Sequence, residues 1–430
     1  MLWLILLLAE CALLSYIDKR LWKTYFTPLH FLMVPYLLIL LFTLCVAGRF
    51  GLEKFYYPSL LPWLWGLPLF AAGDVLIYFL NREIGKKMCG TKVEKAGETN
   101  GISAPQMTSA ILFLSVFFLC LLGARFVYLV LFHADEFCLP GTECFGVMLV
   151  NNKIVSHSSV ILTALLIMNI YLFDGKAAKR IKGAQVGVIL LSGVCLFFQQ
   201  AQSWILLPVL AGLFARVIAG KTRLNIKLLL GVVAGGSAVF FLGYLAFYFS
   251  GDKMFSNETS LGNTFFETFK LFIHYLTSGT LGLSTDMQQG ILENRKATYL
   301  FTPFLNMWNF ISGNELLSLQ NPFYLNTGFR HSNVRTFFGS LYVFSSPALF
   351  SLFSIGIGAF SYSIFVWWRR RSDVMNTCLY GWLCTILFIG WFNLYTQVYG
   401  VWAISFWIVA IGMVCRAWIH KSKPGKEKSV

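Results

Sequence analysis

Charge is what this chain has little of. Only 12% of its 430 residues are Asp, Glu, Lys or Arg, about half of what a soluble domain carries. That scarcity excludes an ordinary water-exposed surface over most of the length. Acidic residues are scarcer still, 19 against 34 basic, which leaves a net charge of +15. Phosphate-loop, HExxH, G-x-S-x-G and C-x-x-C patterns are all missing. Their absence removes nucleotide hydrolases, zinc proteases, serine hydrolases and thiol redox enzymes of those kinds. The six histidines, His30, His133, His157, His274, His331 and His420, have no metal-ligand spacing, so no metal site is expected. Neither an internal repeat nor a low-complexity tract interrupts the chain.

What is there is apolar. Hydrophobic residues make up 57% of the sequence and aromatic ones 17%. Runs of bilayer-spanning length recur throughout, which predicts an all-α, polytopic membrane helical bundle. Eleven spans are expected, at about 2–17, 28–47, 60–80, 107–132, 155–173, 184–201, 203–219, 228–249, 347–368, 376–393 and 398–415. The first lacks a basic leader and is followed by Asp18, Lys19 and Arg20, so it reads as an anchor and not a cleaved signal. Lys and Arg favour alternate loops by more than two to one. By the positive-inside rule the amino end lies outside and the carboxyl end in the cytoplasm. The excess charge is then topology, and no nucleic acid is needed to explain it.

No soluble domain separates from residues 1–430, but one segment stands out. Residues 250–346 form a large external loop by the charge count, too aromatic to be disordered. Within it, "FFETFKLFIHYL" (Phe265–Leu276) has helical periodicity. Glu267, Lys270 and His274 share one face opposite a row of Phe, Ile and Leu, as expected of an interfacial helix. "TYLFTPFLNMWNFIS" (Thr298–Ser312), broken by Pro303, reads as a short lid-like hairpin. Cys138 and Cys144 flank "LPGTE", a turn tight enough for either a disulfide or two free thiols. Asn257-Glu258-Thr259 is a formal glycosylation triplet.

Candidate chemistry lies where charge is costly. In "NTGFRHSNVRTFF" (Asn326–Phe338), Arg330 and Arg335 precede the ninth span. Guanidinium groups at headgroup depth suit a lipid-borne diphosphate, because the planar fork binds phosphate oxygens in pairs. Their bland alternative is headgroup anchoring. Arg125, near the outer end of its span, and Lys270 are further cations for such a substrate. His331 and His274 qualify as the general base, with Glu267 and Asp286 as carboxylate alternatives. Tyr275 offers a ring on which a sugar face can stack.

"SNVRTFFGSLYVFSSPALFSLFSIGIGAF" (Ser332–Phe360) resembles the N-V-Y-T-F-F…Y-x-D-F-G…G pattern of Wzy-type oligosaccharide repeat-unit polymerases. "YLTSGTLGLS" (Tyr275–Ser284) is similar to the segment that opens their large external loop. This chain has "QQAQSW" (Gln199–Trp204) where relatives often carry Ser-Arg-Thr, and "FSS" (Phe344–Ser346) in place of D-F-G. The resemblance implies a GT-C-like bundle in the bacterial inner membrane. It also implies growth of O-antigen, capsule or exopolysaccharide on undecaprenyl diphosphate-linked oligosaccharide at the outer face. No cofactor is implied, and the partners are membrane lipid, the lipid-linked glycan and a chain-length regulator protein. An O-antigen ligase or a lipid-linked oligosaccharide flippase are the alternatives.

Overall fold

The computed structural model describes residues 1–88, 104–133, 143–175, 178–199, 202–249, 261–290, 297–315, 317 and 324–421. In chain order the helices are α1 (Leu2–Trp22), α2 (Pro28–Val46), α3 (Leu61–Met88), α4 (Ala104–Phe132), α5 (Glu143–Val150), α6 (Lys153–Leu172), α7 (Lys179–Phe197), α8 (Gln202–Ile218) and α9 (Ile226–Phe249). There follow α10 (Leu261–Gln289), α11 (Thr302–Ser312), the strands β1 (Leu325–Asn326) and β2 (His331–Ser332), and then α12 (Phe337–Phe344), α13 (Pro347–Arg370), α14 (Val374–Phe388) and α15 (Tyr399–Lys421). Among the described residues the fold is all-α apart from the two-residue antiparallel pair, in which Leu325 faces Ser332 and Asn326 faces His331.

Each of the eleven expected spans falls on a helix, but only eight helices among the described residues are long and apolar enough to cross a membrane: α2, α3, α4, α6, α7, α13, α14 together with the 3-10 turn that continues it to Trp391, and α15. For two of the other three the reason is physical. Helix α8 has 17 residues, short of the roughly 20 that a bilayer core requires. Helix α1 carries Glu10 and closes on Asp18, Lys19 and Arg20. The Asn257 triplet and Cys138 lie outside the described residues, while Cys144 is disulfide-bonded.

The chain divides into two compact units. The first comprises Met1–Val93, Phe265–Arg369 and Leu383–Trp402, the second Glu94–Thr264, Arg370–Trp382 and Ala403–Val430. In the first, α3 and α13 cross at glycine. A Cβ on Gly73 would strike the Ile355 carbonyl oxygen, and one on Gly358 the Phe70 carbonyl oxygen. Small residues let two backbones approach where lipid gives no hydrophobic drive. Beside them Tyr36 stacks on Trp63 at 3.4 Å, and the buried Trp63 indole donates to Thr336 Oγ1 at 3.0 Å. Thr336 in turn caps α12 by accepting from the Gly339 amide at 3.2 Å.

The second unit is built around α6, in which every residue from Ile161 to Leu172 is buried. Asn152 caps its start, accepting from the Ile154 amide at 2.9 Å. Arg216 closes its end, donating from Nη1 to the Ile170, Tyr171 and Phe173 carbonyls. A cation there satisfies orphan carbonyls and opposes the helix dipole. Arg216 is thus a cap for a neighbouring helix.

Candidate functional site

The segment expected to hang outside as a loop contributes the polar interior of the first unit. In α10 every residue from Thr277 to Asp286 is buried. The run is made of small and hydroxyl side chains, so other backbones can come close. A Cβ on Gly279 would meet the Phe392 and Trp391 carbonyls, and one on Gly282 the Val334 carbonyl. Ser284 Oγ accepts from the Tyr56 amide at 2.8 Å.

Against α10 lies the β1–β2 hairpin and its turn, Thr327–Arg330. Gly328 occupies φ +98°, a conformation that L side chains rarely adopt. The Thr327 hydroxyl donates to the Arg330 carbonyl at 2.7 Å. Its single proton is thereby used, so His274 Nε2, 3.0 Å away, is the donor to Thr327 Oγ1. That fixes the tautomer and leaves the lone pair on Nδ1. Burial, and then the Arg330 charge, push the His274 pKa down to about 4. The imidazole is therefore neutral at physiological pH, 5% exposed. Arg330 itself is half-buried, its guanidinium 5.9 Å from the Phe329 ring.

Several expectations need correction. Arg335 is not a free cation beside Arg330. It is 1% exposed and ion-paired through Nε to Asp286, with Nη2 to the second carboxylate oxygen at 3.3 Å. Burial alone raises the Asp286 pKa, and the Arg335 hydrogen bonds and charge pull it back. An expected anion binder and an expected base therefore hold each other. Glu267 and Lys270 do the same at 2.7 Å, half-exposed at the start of α10. His274 does not share their solvated face, whereas Phe265, Phe266 and Phe269 are exposed. The reason is a partner distant in sequence: Thr327, 53 residues away, receives His274.

His331 is exposed on β2, and the alternation of the strand buries Ser332 instead. Tyr275 lies 6.2 Å from Phe392, nearly parallel to it, and is 42% exposed. Arg125 belongs to the second unit, where Nη2 donates to the Met148 carbonyl at 3.2 Å. Among the described residues its Nε has no partner. The structure thus brings His274 and Arg330 together, and Asp286 with Arg335. No three His, Cys, Asp or Glu side chains converge as metal ligands among the described residues.

A second polar cluster lies among α1, α2, α3 and α13, and sequence reasoning missed most of it. Asp18, 1% exposed, accepts from Thr27 Oγ1 at 2.5 Å and from the Tyr362 hydroxyl. His30 Nδ1 is 2.9 Å from the same carboxylate, and Ser15 bonds its Nε2 at 2.8 Å. Asp74, also 1% exposed, accepts from the Trp22 indole at 2.6 Å. The available signal was an acid inside an apolar run, Asp74. Nothing in the sequence pointed from it to Asp18 or His30.

Residues 51–420 match DUF6337, described as a family of unknown function. The chain belongs to DUF6337. No curated protein and no solved structure matches it. Every candidate from Arg125 to Arg335 lies within the matched span of this DUF6337 member, as does Asp74. Asp18 and His30 precede it.

Proposed function

We propose that this DUF6337 member is a membrane glycosyltransferase that extends a glycan carried on a lipid diphosphate. In the fuller form it polymerises undecaprenyl diphosphate-linked repeat units at the outer face of a bacterial inner membrane. The reading rests on the resemblance of Ser332–Phe360 to repeat-unit polymerases. The observation that carries it is the pairing of a half-exposed guanidinium, Arg330, with an imidazole kept neutral, His274. Transfer forms a bond between the acceptor hydroxyl oxygen and the anomeric carbon while the bond from that carbon to the diphosphate oxygen breaks. The hydroxyl proton goes to Nδ1 of His274, and the lipid diphosphate leaves with the bonding electrons. Arg330 meets the charge that develops on it. Asp286 and Arg335 act as positioning residues that pin α10 to the segment after β2.

The test uses the purified full chain in proteoliposomes with a lipid diphosphate-linked repeat unit, read as polymer on a gel. Arg330→Ala and His274→Ala are each expected to lose roughly 100-fold or more in rate, with unchanged helical circular dichroism. Full-length polymer from both variants refutes the assignment. A second reading is favoured by one observation, the buried Asp18–Asp74–His30 network, because ionisable groups inside spans commonly form proton relays in transporters. Movement of the lipid-linked glycan across the same vesicles, without chain growth, would select it.

A further inference from the structure

Helix α11 is too short to cross a membrane and too apolar outside to face water. Its 11 residues span about 16 Å at 1.5 Å per residue, half of a bilayer core. Phe304, Met307, Trp308 and Ile311 are 45, 55, 66 and 71% exposed, and they follow i, i+3, i+4, i+7, which places them on one face. No residue from Thr302 to Ser312 is charged. The polar side chains turn to the protein's own chain. Asn306 exchanges two hydrogen bonds with the Leu317 backbone, at 2.7 and 2.9 Å, and Asn309 donates to the Glu315 carbonyl at 3.0 Å. The outward face is thus left wholly apolar.

Two ring contacts seat it against helices that span. Phe301, which caps α11, lies 5.2 Å from Phe353, and Phe304 lies 5.2 Å from Trp402. Phe353 is the seventh residue of α13 and Trp402 the fourth of α15. Both helices are long and apolar enough to span. With α14 running back between them, they enter from the same side. Trp402 also lies 6.0 Å from Phe360, the fourteenth residue of α13, so the contacts of α11 extend along the spans from the level of Phe353 to that of Phe360, about 10 Å apart.

We propose that α11 packs along the spans with Phe304, Met307, Trp308 and Ile311 seated in phospholipid. Its apolar stripe continues the lipid-facing surface of the spans it touches. Because α11 carries no Lys or Arg, the seat depends on apolar area and requires no anionic lipid. This inference stands whether or not the chain transfers sugar.

The experiment places an environment-sensitive fluorescent amino acid at Ile311 of the full chain in phosphatidylcholine nanodiscs. Phosphatidylcholine brominated on the acyl chain is expected to quench it at least about twofold, and aqueous iodide hardly at all. Replacing a third of the lipid with phosphatidylglycerol leaves the pattern unchanged. Quenching by iodide without quenching by bromolipid overturns the proposal, because the face then meets water. Protection from both quenchers, with dimers trapped by cross-linking, overturns it in favour of a second copy of the chain.

Discussion

Replacing Arg335 with Met should unfold this protein more readily than almost any other single change to the hairpin segment. The pair it forms with Asp286 is 1% exposed on each side. Arg335→Met leaves a buried carboxylate without its partner, and Asp286→Leu leaves a buried guanidinium. Each single variant should lose about 3–5 kcal/mol, or two to four decades in the folded-to-unfolded ratio. The double variant, Asp286→Leu with Arg335→Met, removes both charges together. It should recover to within about 1–2 kcal/mol of the parent, since apolar replacements of buried pairs are often near neutral. Arg335→Lys keeps the charge, loses the two-pronged geometry and falls between. The assay is unfolding in mixed micelles titrated with SDS, followed by helical circular dichroism. Two singles that each cost under about 1 kcal/mol, or whose costs simply add, would refute the buried pair.

Acid should weaken the fold through His274. Its folded pKa is about 4 against about 6.5 unfolded, so stability is complete above pH 6.5 and lost as pH falls toward 4, by about 3 kcal/mol. The SDS midpoint at pH 7.5 and 4.5 reads this, and His274→Gln, which keeps the donor to Thr327, should flatten the difference; equal slopes would contradict it. Gly279→Ala should cost about 1–3 kcal/mol or more, since its methyl meets rigid carbonyls of Trp391 and Phe392. Gly187→Ala, with open space around it, should instead gain about 0.5–1 kcal/mol from helix propensity in the same titration.

The long apolar helices were legible because hydropathy over some 20 residues is a local property. Helices α2, α4, α6 and α13 begin and end within a few residues of the expected limits. The interior of the first unit was far less legible. Residues 277–286 look polar and loop-like in sequence, yet small hydroxyl side chains are what allow α10 to be surrounded on all sides. Arg335 read as an exposed cation because its partner, Asp286, lies 49 residues upstream on an element assigned to a loop. His274 failed the same way, its amphipathic face having been assigned from periodicity alone. Periodicity tells which residues share a face. It does not tell whether water or Thr327 stands opposite.

The first unit is sewn together from chain segments made far apart in time. Tyr362 reaches Asp18 across 344 residues, Trp63 reaches Thr336 across 273, and the Tyr56 amide reaches Ser284 across 228. Between its first and second pieces the ribosome must produce Glu94–Thr264, some ten to thirty seconds of synthesis at ordinary rates. Through that interval α1–α3 wait in the membrane with two acids already delivered. Most of the partners they need are local: Thr27 and His30 for Asp18, and Trp22 for Asp74. Only Tyr362 comes from chain made later. The polar cluster near the amino end is therefore encoded almost entirely before Glu94.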